Sequence, residues 1–152
     1  MKYNLQQLSD RFEIQDILVD YSRCIDRKDW QGLDRVFTQD AFIDYTVMGG
    51  PKGSLAEIKQ FLSDAMALFS ATQHAISNFE IVLNGDSATG RIMCFNPQVL
   101  NLGEDQQYTF FIGLWYIDEY VRTAEGWRIR SRIEEKSYDF NVPDFIKIEA
   151  KA

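Results

Sequence analysis

The chain has 152 residues, enough for one domain with a sizeable core, and a content of 45% apolar and 14% aromatic residues excludes disorder. A net charge of −7 argues against nucleic acid and anionic membrane surfaces as partners, because both need a basic face. No apolar run is long enough to cross a bilayer, and the acidic, amphipathic N-terminus is unlike a signal peptide, so the expected location is the cytoplasm and the expected partners are small molecules or other protein chains.

Ser9 is placed to cap a helix, with Glu13 near the capping-box position, and Ile14, Ile17, Leu18, Tyr21 and Ile25 recur at helical spacing. This pattern predicts a helix over 10–27. Asp29 caps a second, short helix carrying Trp30, Leu33, Val36 and Phe37. Ala41 to Tyr45 reads as a strand that Gly49, Gly50 and Pro51 end, and Ser54 opens a third helix with Ile58, Phe61, Leu62, Met66 and Phe69 along it. After Ala71 the period changes to that of strands. Segments 75–83, 88–100, 107–122 and 127–139 alternate as strands, joined by a hairpin at Asn84-Gly85-Asp86, a loop at 101–105 and a turn at Ala124-Glu125-Gly126. No repeat or linker divides the chain, so a single domain over 1–152 is expected. Three helices followed by long hairpins predict an α+β fold. The expected form is a cone-shaped barrel, a strongly bent, mostly antiparallel sheet wrapped around the first helix with a pocket between them.

The two cysteines, Cys24 and Cys94, are too few for a disulfide framework, and with His74 as the single histidine they make no standard zinc site without carboxylates. Free buried thiols are expected, with no metal. On its alternating strand, the row Arg128, Arg130 and Arg132 reads as a solvated or interface stripe.

The segment Tyr21-Ser22-Arg23-Cys24-Ile25-Asp26-Arg27-Lys28-Asp29-Trp30, then Phe37-Thr38-Gln39-Asp40-Ala41 and Ile43-Asp44-Tyr45, resembles the SnoaL-like branch of the nuclear transport factor 2-like superfamily. Thr72-Gln73-His74, Asn78 and Asn84-Gly85-Asp86 continue the pattern, so the likeness runs from about Leu8 to Asp139. It is closest in pattern to scytalone dehydratase, the bile-acid 7α-dehydratases and the lindane dehydrochlorinases. The resemblance implies the cone fold and an Asp–His dyad at Asp26 and His74, with the dehydratase tyrosines at Tyr21 and Tyr45. It also implies a pocket wall of Ile92, Cys94 and Asn96 on one strand and Phe110, Ile112, Leu114 and Tyr116 on the next. Ile92 stands where scytalone dehydratase has a second pocket histidine, which makes scytalone itself an unsuitable substrate.

An elimination beside a carbonyl needs a base, a polariser for the carbonyl and a dry site. His74 suits the base, Asp26 would orient it, and Tyr21 and Tyr45 could donate to a developing enolate. If Tyr45 faces the pocket, Ala41 and Ile43 do too and Asp44 points away, which weakens a rival base at Asp44. The expected activity is a cofactor-free, dehydratase-like lyase acting on a cyclic, carbonyl-bearing molecule. The alternatives are an isomerase or polyketide-cyclase-like enzyme using the same dyad, and a non-catalytic domain that binds a small hydrophobic or ring-containing ligand. Phe111, Trp115 and Ile117 would lie on the far face of the sheet, which predicts a homo-oligomer, trimer or dimer, that covers them.

Overall fold

The computed structural model describes residues 2–103 and 106–144, so Glu104 and Asp105 of the expected 101–105 loop lie outside the described residues. Helix α1 (Leu5–Asp26) starts earlier than the apolar spacing suggests, because Asn4 and Gln7 supply the capping box. Ser9 and Glu13 sit inside the helix instead, joined from Oγ to Oε1 at 3.2 Å. Ile14, Leu18, Tyr21 and Ile25 form the inner face of α1 and are at most 2% exposed. Full burial of each such side chain is worth about 1.5–3 kcal/mol, which anchors the helix in the curl of the sheet. At the other end of the inner face, Asp10 accepts from Arg122 at 2.7 Å and from the Trp127 indole at 3.2 Å, tying α1 to the strands.

The expected second helix is a single 3-10 turn, Gln31–Arg35. Asp29 holds it through a bond from the Gly32 backbone N–H at 2.9 Å, and Phe37 already belongs to strand β1 (Phe37–Asp44). Strand β2 (Lys52–Ser54) leads into helix α2 (Leu55–Ala65), capped by a reciprocal Ser54–Glu57 box. Met66 and Phe69 lie beyond α2, in a 3-10 turn and in β3 (Phe69–Thr72). Strands β4 (Ala75–Asn84), β5 (Ser87–Asn101), β6 (Gln107–Thr123) and β7 (Gly126–Phe140) follow. Gly85, at φ +60°, makes the tight β4–β5 turn.

The strands form one curled, unclosed sheet in the order β2-β1-β7-β6-β5-β3, with β4 also paired to β5. The β1–β7 pair is parallel and the others are antiparallel, so the sheet is mixed. Its concave side faces α1 and α2 in the cone arrangement of the nuclear transport factor 2-like fold.

One irregularity decides what the concave side carries. On β7, Ile129 pairs with Tyr120 and Ser131 with Glu119, leaving Arg130 as an extra residue. Such a bulge shifts the inward-facing set by one position. Before it Trp127 and Ile129 are buried; after it Arg132 is 0% exposed and Ile133 is 44% exposed. The expected arginine stripe is therefore wrong at Arg132, while Arg130 is exposed and Arg128 partly so.

Candidate active site

Asp26 closes α1, where the helix dipole disfavours a carboxylate by about 0.3–1 kcal/mol. The position costs helix stability, and its compensation comes from direct contact with His74. One carboxylate oxygen accepts from the His74 backbone N–H at 3.0 Å, and the other meets His74 Nδ1 at 2.7 Å. The side chains are 24% and 9% exposed. With Nδ1 turned to Asp26, Nε2 is the nitrogen left to a ligand. The segment carrying His74 is held from β5: Asn96 Nδ2 donates to Thr72 Oγ1 at 3.2 Å and to the Gln73 carbonyl at 3.0 Å. Asn96 thus lines the cavity and also fixes the backbone next to His74.

Tyr21 and Tyr45 share a hydrogen bond between their hydroxyls at 2.7 Å. Burial pushes the Tyr21 phenol up to about 12, and Tyr45 also rises well above its ordinary value, chiefly through desolvation. Both are therefore neutral donors near pH 7. Because one donates to the other, the pair keeps a single free O–H. The Tyr21 ring stands edge-on to His74, with centroids 6.2 Å apart, and edge-on to Tyr116 at 5.5 Å. The Tyr116 hydroxyl is spent on Cys94 Sγ at 3.7 Å. Desolvation pushes the Cys94 thiol up to about 12, which makes it a poor nucleophile.

Behind the tyrosines lies Arg132, its guanidinium 4.1 Å from the centroid of Tyr21 and 3.9 Å from that of Tyr116. Asp118 binds it at Nε and Nη2, at 2.8 and 2.7 Å, and Tyr120 donates to the same carboxylate at 2.8 Å. Nη1 has no partner among the described residues.

Tyr21, Tyr45, His74 and Tyr116 line a cavity of about 370 Å³ that also touches Asn96, Phe110, Ile112, Leu114 and Glu134. Phe61, Leu62 and Met66 of the α2 region and Met48 form its apolar rim. Of the expected wall residues, Ile92 and Cys94 do not reach the cavity; both are 0% exposed and sit in the core behind Tyr116. Asp44 is also outside it, its carboxylate held below the usual range by the Thr46 hydroxyl and backbone N–H. Among the described residues no group of three or more His, Cys, Asp or Glu side chains is placed to hold a metal ion. A hollow of about 620 Å³ beside Val82, Thr89 and Arg130 is larger, but it is lined mostly by exposed residues and holds neither the dyad nor the tyrosine pair. Chemistry therefore locates the site better than volume does.

Arg132 and Glu134 are the site-region residues that the sequence reading missed. Strict alternation along β7 puts both outside, and only the bulge at Arg130 brings them in. The strand carries charged residues from Arg128 to Asp139, so nothing in its own sequence singles out these two as inward.

The outer face carries Phe111, which stacks on Phe140 at 4.9 Å, and Trp115, capped by the Arg91 guanidinium at 3.7 Å. Ile117 pairs with Ile133 beside them, and all three expected residues are partly exposed.

The profile of the SnoaL-like domain matches residues 6–133. An uncharacterized protein of Mycobacterium tuberculosis is 47% identical over 135 residues, spanning 89% of this chain and 90% of its own. Among solved structures, the Kfla4162 protein of Kribbella flavida has a TM-score of 0.80 at 29% identity, over 88% of this chain and 94% of its own. The hexachlorocyclohexane dehydrochlorinase LinA-type3 of Novosphingobium barchaimii has a TM-score of 0.79 at 17% identity, over 93% and 96%, a likeness of fold. No helix among the described residues is long and apolar enough to cross a membrane. Since the matched region carries α1, the cone sheet and the Asp26–His74 contact alike, the chain belongs to the SnoaL-like family of the nuclear transport factor 2-like superfamily.

Proposed function

We propose that this protein is a cofactor-free lyase of the dehydratase type, acting on a small cyclic molecule with a carbonyl and a β-leaving group. The observation that carries the reading is the 2.7 Å Asp26–His74 contact at the wall of a mostly apolar cavity that also holds the Tyr21–Tyr45 pair. A cavity of about 370 Å³ suits a ligand of one or two rings. Neutral His74, its Nδ1–H directed at Asp26, takes the α-proton on Nε2. The C–H electrons move into the enolate, whose oxygen accepts from the free O–H of the tyrosine pair. Asp26 stabilises the imidazolium that forms. The enolate then re-forms the carbonyl as the C=C bond is made and the β-hydroxyl leaves, taking the proton from Nε2 as water and restoring neutral His74. A dehydrochlorinase of this fold supports the class of reaction by analogy only.

The test uses cyclic β-hydroxy ketones in deuterated water, with enone absorbance and mass spectrometry as readouts. Enone formation that survives chelation and is lost in His74→Ala supports the proposal. Deuterium incorporation without loss of water would assign an isomerase instead, and neither event with any ketone would leave a ligand-binding domain. We further propose that a second copy of the chain covers the outer face at Phe111, Trp115 and Ile117, which sedimentation of a monomer at micromolar concentration would overturn.

A further inference from the structure

The tyrosine wall of the cavity is one hydrogen-bond donor short of a pair. An oxyanion is usually held by two donors. Of the three phenols on this wall, Tyr116 is committed to Cys94 and the Tyr21–Tyr45 pair keeps one free O–H. Glu134 stands on the same wall. It is paired with Tyr116 across β6 and β7, and it lines the cavity with Tyr21, Tyr45 and His74. No hydrogen bond from any described residue reaches its carboxyl group, and the neighbouring Arg132 is already bound to Asp118. Glu134 is half-buried, and a carboxyl group that faces the cavity with no hydrogen bond among the described residues is left to water or to a ligand.

We propose that Glu134 is a carboxylic-acid donor that completes the oxyanion site, hydrogen-bonding, beside the tyrosine pair, the ligand oxygen on which negative charge collects. This rests on the lyase reading for the identity of that oxygen. The protonation state fits: desolvation raises the Glu134 carboxyl from its ordinary 4.5 to about 8. Arg132 on its own strand pulls it down, while Asp118 on β6 and Asp44 on β1 push it up. The other titratable groups around it, the phenols of Tyr21, Tyr45 and Tyr116 and the Cys94 thiol, are protonated at neutral pH; His74 lines the same cavity. Near pH 7 the site can thus offer a neutral O–H. Above about 8 it would offer a carboxylate that repels an enolate.

The experiment measures binding of p-nitrophenolate, a planar stable oxyanion, from pH 6 to 10 by absorbance, using the full chain and Glu134→Gln. Carbon-13 carboxyl spectra of glutamate-labelled protein follow the Glu134 resonance, identified by its loss in the variant. Affinity for the anion should fall about tenfold per pH unit above about 8 in the native protein and stay flat in Glu134→Gln, with the resonance titrating near 8. A resonance titrating near 4.5, the same pH profile in both proteins, or no phenolate binding at any pH would overturn the proposal. Neither readout needs turnover, so His74→Ala should keep the pH linkage. Failure of the elimination reading would instead show as absent enone formation with this linkage intact.

Discussion

Asp26 and Asp118 both grip a cationic or potentially cationic partner at 2.7 Å, and their surroundings could hardly differ more. Asp118 and Arg132 have side chains that are 0% exposed, and two parallel bonds join them. Asp26 and His74 keep 24% and 9% of their side-chain surface, and the imidazole retains one nitrogen unused by the protein. Bond length does not separate a sealed pair from one open to a ligand. What separates them is whether a valence is left over and faces space that a ligand can enter. The pair between β6 and β7 is sealed, so its charge acts only as a field through the rings of Tyr21 and Tyr116.

The comparison breaks most sharply on kinetics. His74→Ala should cut turnover of a cyclic β-hydroxy ketone by about 10²–10⁴-fold, and Asp26→Asn should come close, because an imidazole in the wrong tautomer is nearly as poor as none. Both should still fold, with denaturant midpoints close to native; the asparagine oxygen can continue to accept from the His74 backbone N–H. Equal losses of stability and activity would make the dyad a structural pair like the other.

Asp118→Ala should do the reverse and destabilise the fold by about 3–5 kcal/mol in urea titrations, because it leaves the Arg132 guanidinium buried without its counter-ion. Replacing both residues by apolar ones of similar volume should recover much of that loss. A double variant no better than the single would show that packing, not charge, dominates there.

Glu134 sharpens the contrast as a carboxyl with no hydrogen bond among the described residues. Its folded-state value, about 8, lies above the ordinary 4.5, so the folded state binds the extra proton and stability falls as pH rises between those values. Glu134→Gln should therefore leave the melting temperature unchanged at pH 4 and raise it by about 10–20 °C at pH 9, a gain of about 5 kcal/mol. A constant difference across that range would mean that the group titrates normally. The smallest effect belongs to Tyr45→Phe, which removes the partner of the Tyr21 hydroxyl and should cost about 1 kcal/mol with about a tenfold drop in turnover.

Much of this was legible from residue order. Apolar spacing placed the inner face of α1, while the resemblance, carried along β6 by alternation, pointed to Phe110, Ile112, Leu114 and Tyr116, which line the cavity. Resemblance alone set Asp26 against His74, which are 48 residues apart and share no local signal. The start of α1 was misread because Ser9 and Glu13 make a plausible box that Asn4 and Gln7 pre-empt. Ile92 and Cys94 were placed on the correct face but too deep to touch a ligand, since alternation gives direction and not depth. The inward turn of Arg132 and Glu134 was hidden because a bulge is a property of two strands, and one strand's sequence does not count its partner's residues.

That extra residue at Arg130 gives the protein an unusual evolutionary hinge. Deleting it would remove the bulge yet leave Ser131 opposite Glu119 and Arg132 opposite Asp118, so the guanidinium and the Glu134 carboxyl would stay on the concave side. An inserted residue that the sheet paired instead of bulging would do the opposite, turning Ser131 and Ile133 toward α1 and sending both ionisable groups to solvent together. A single-codon insertion could thus empty this wall of both groups without altering either codon. Among relatives that keep Asp26 and His74, the register of this strand would then be a better guide to shared chemistry than the identity of any residue on it.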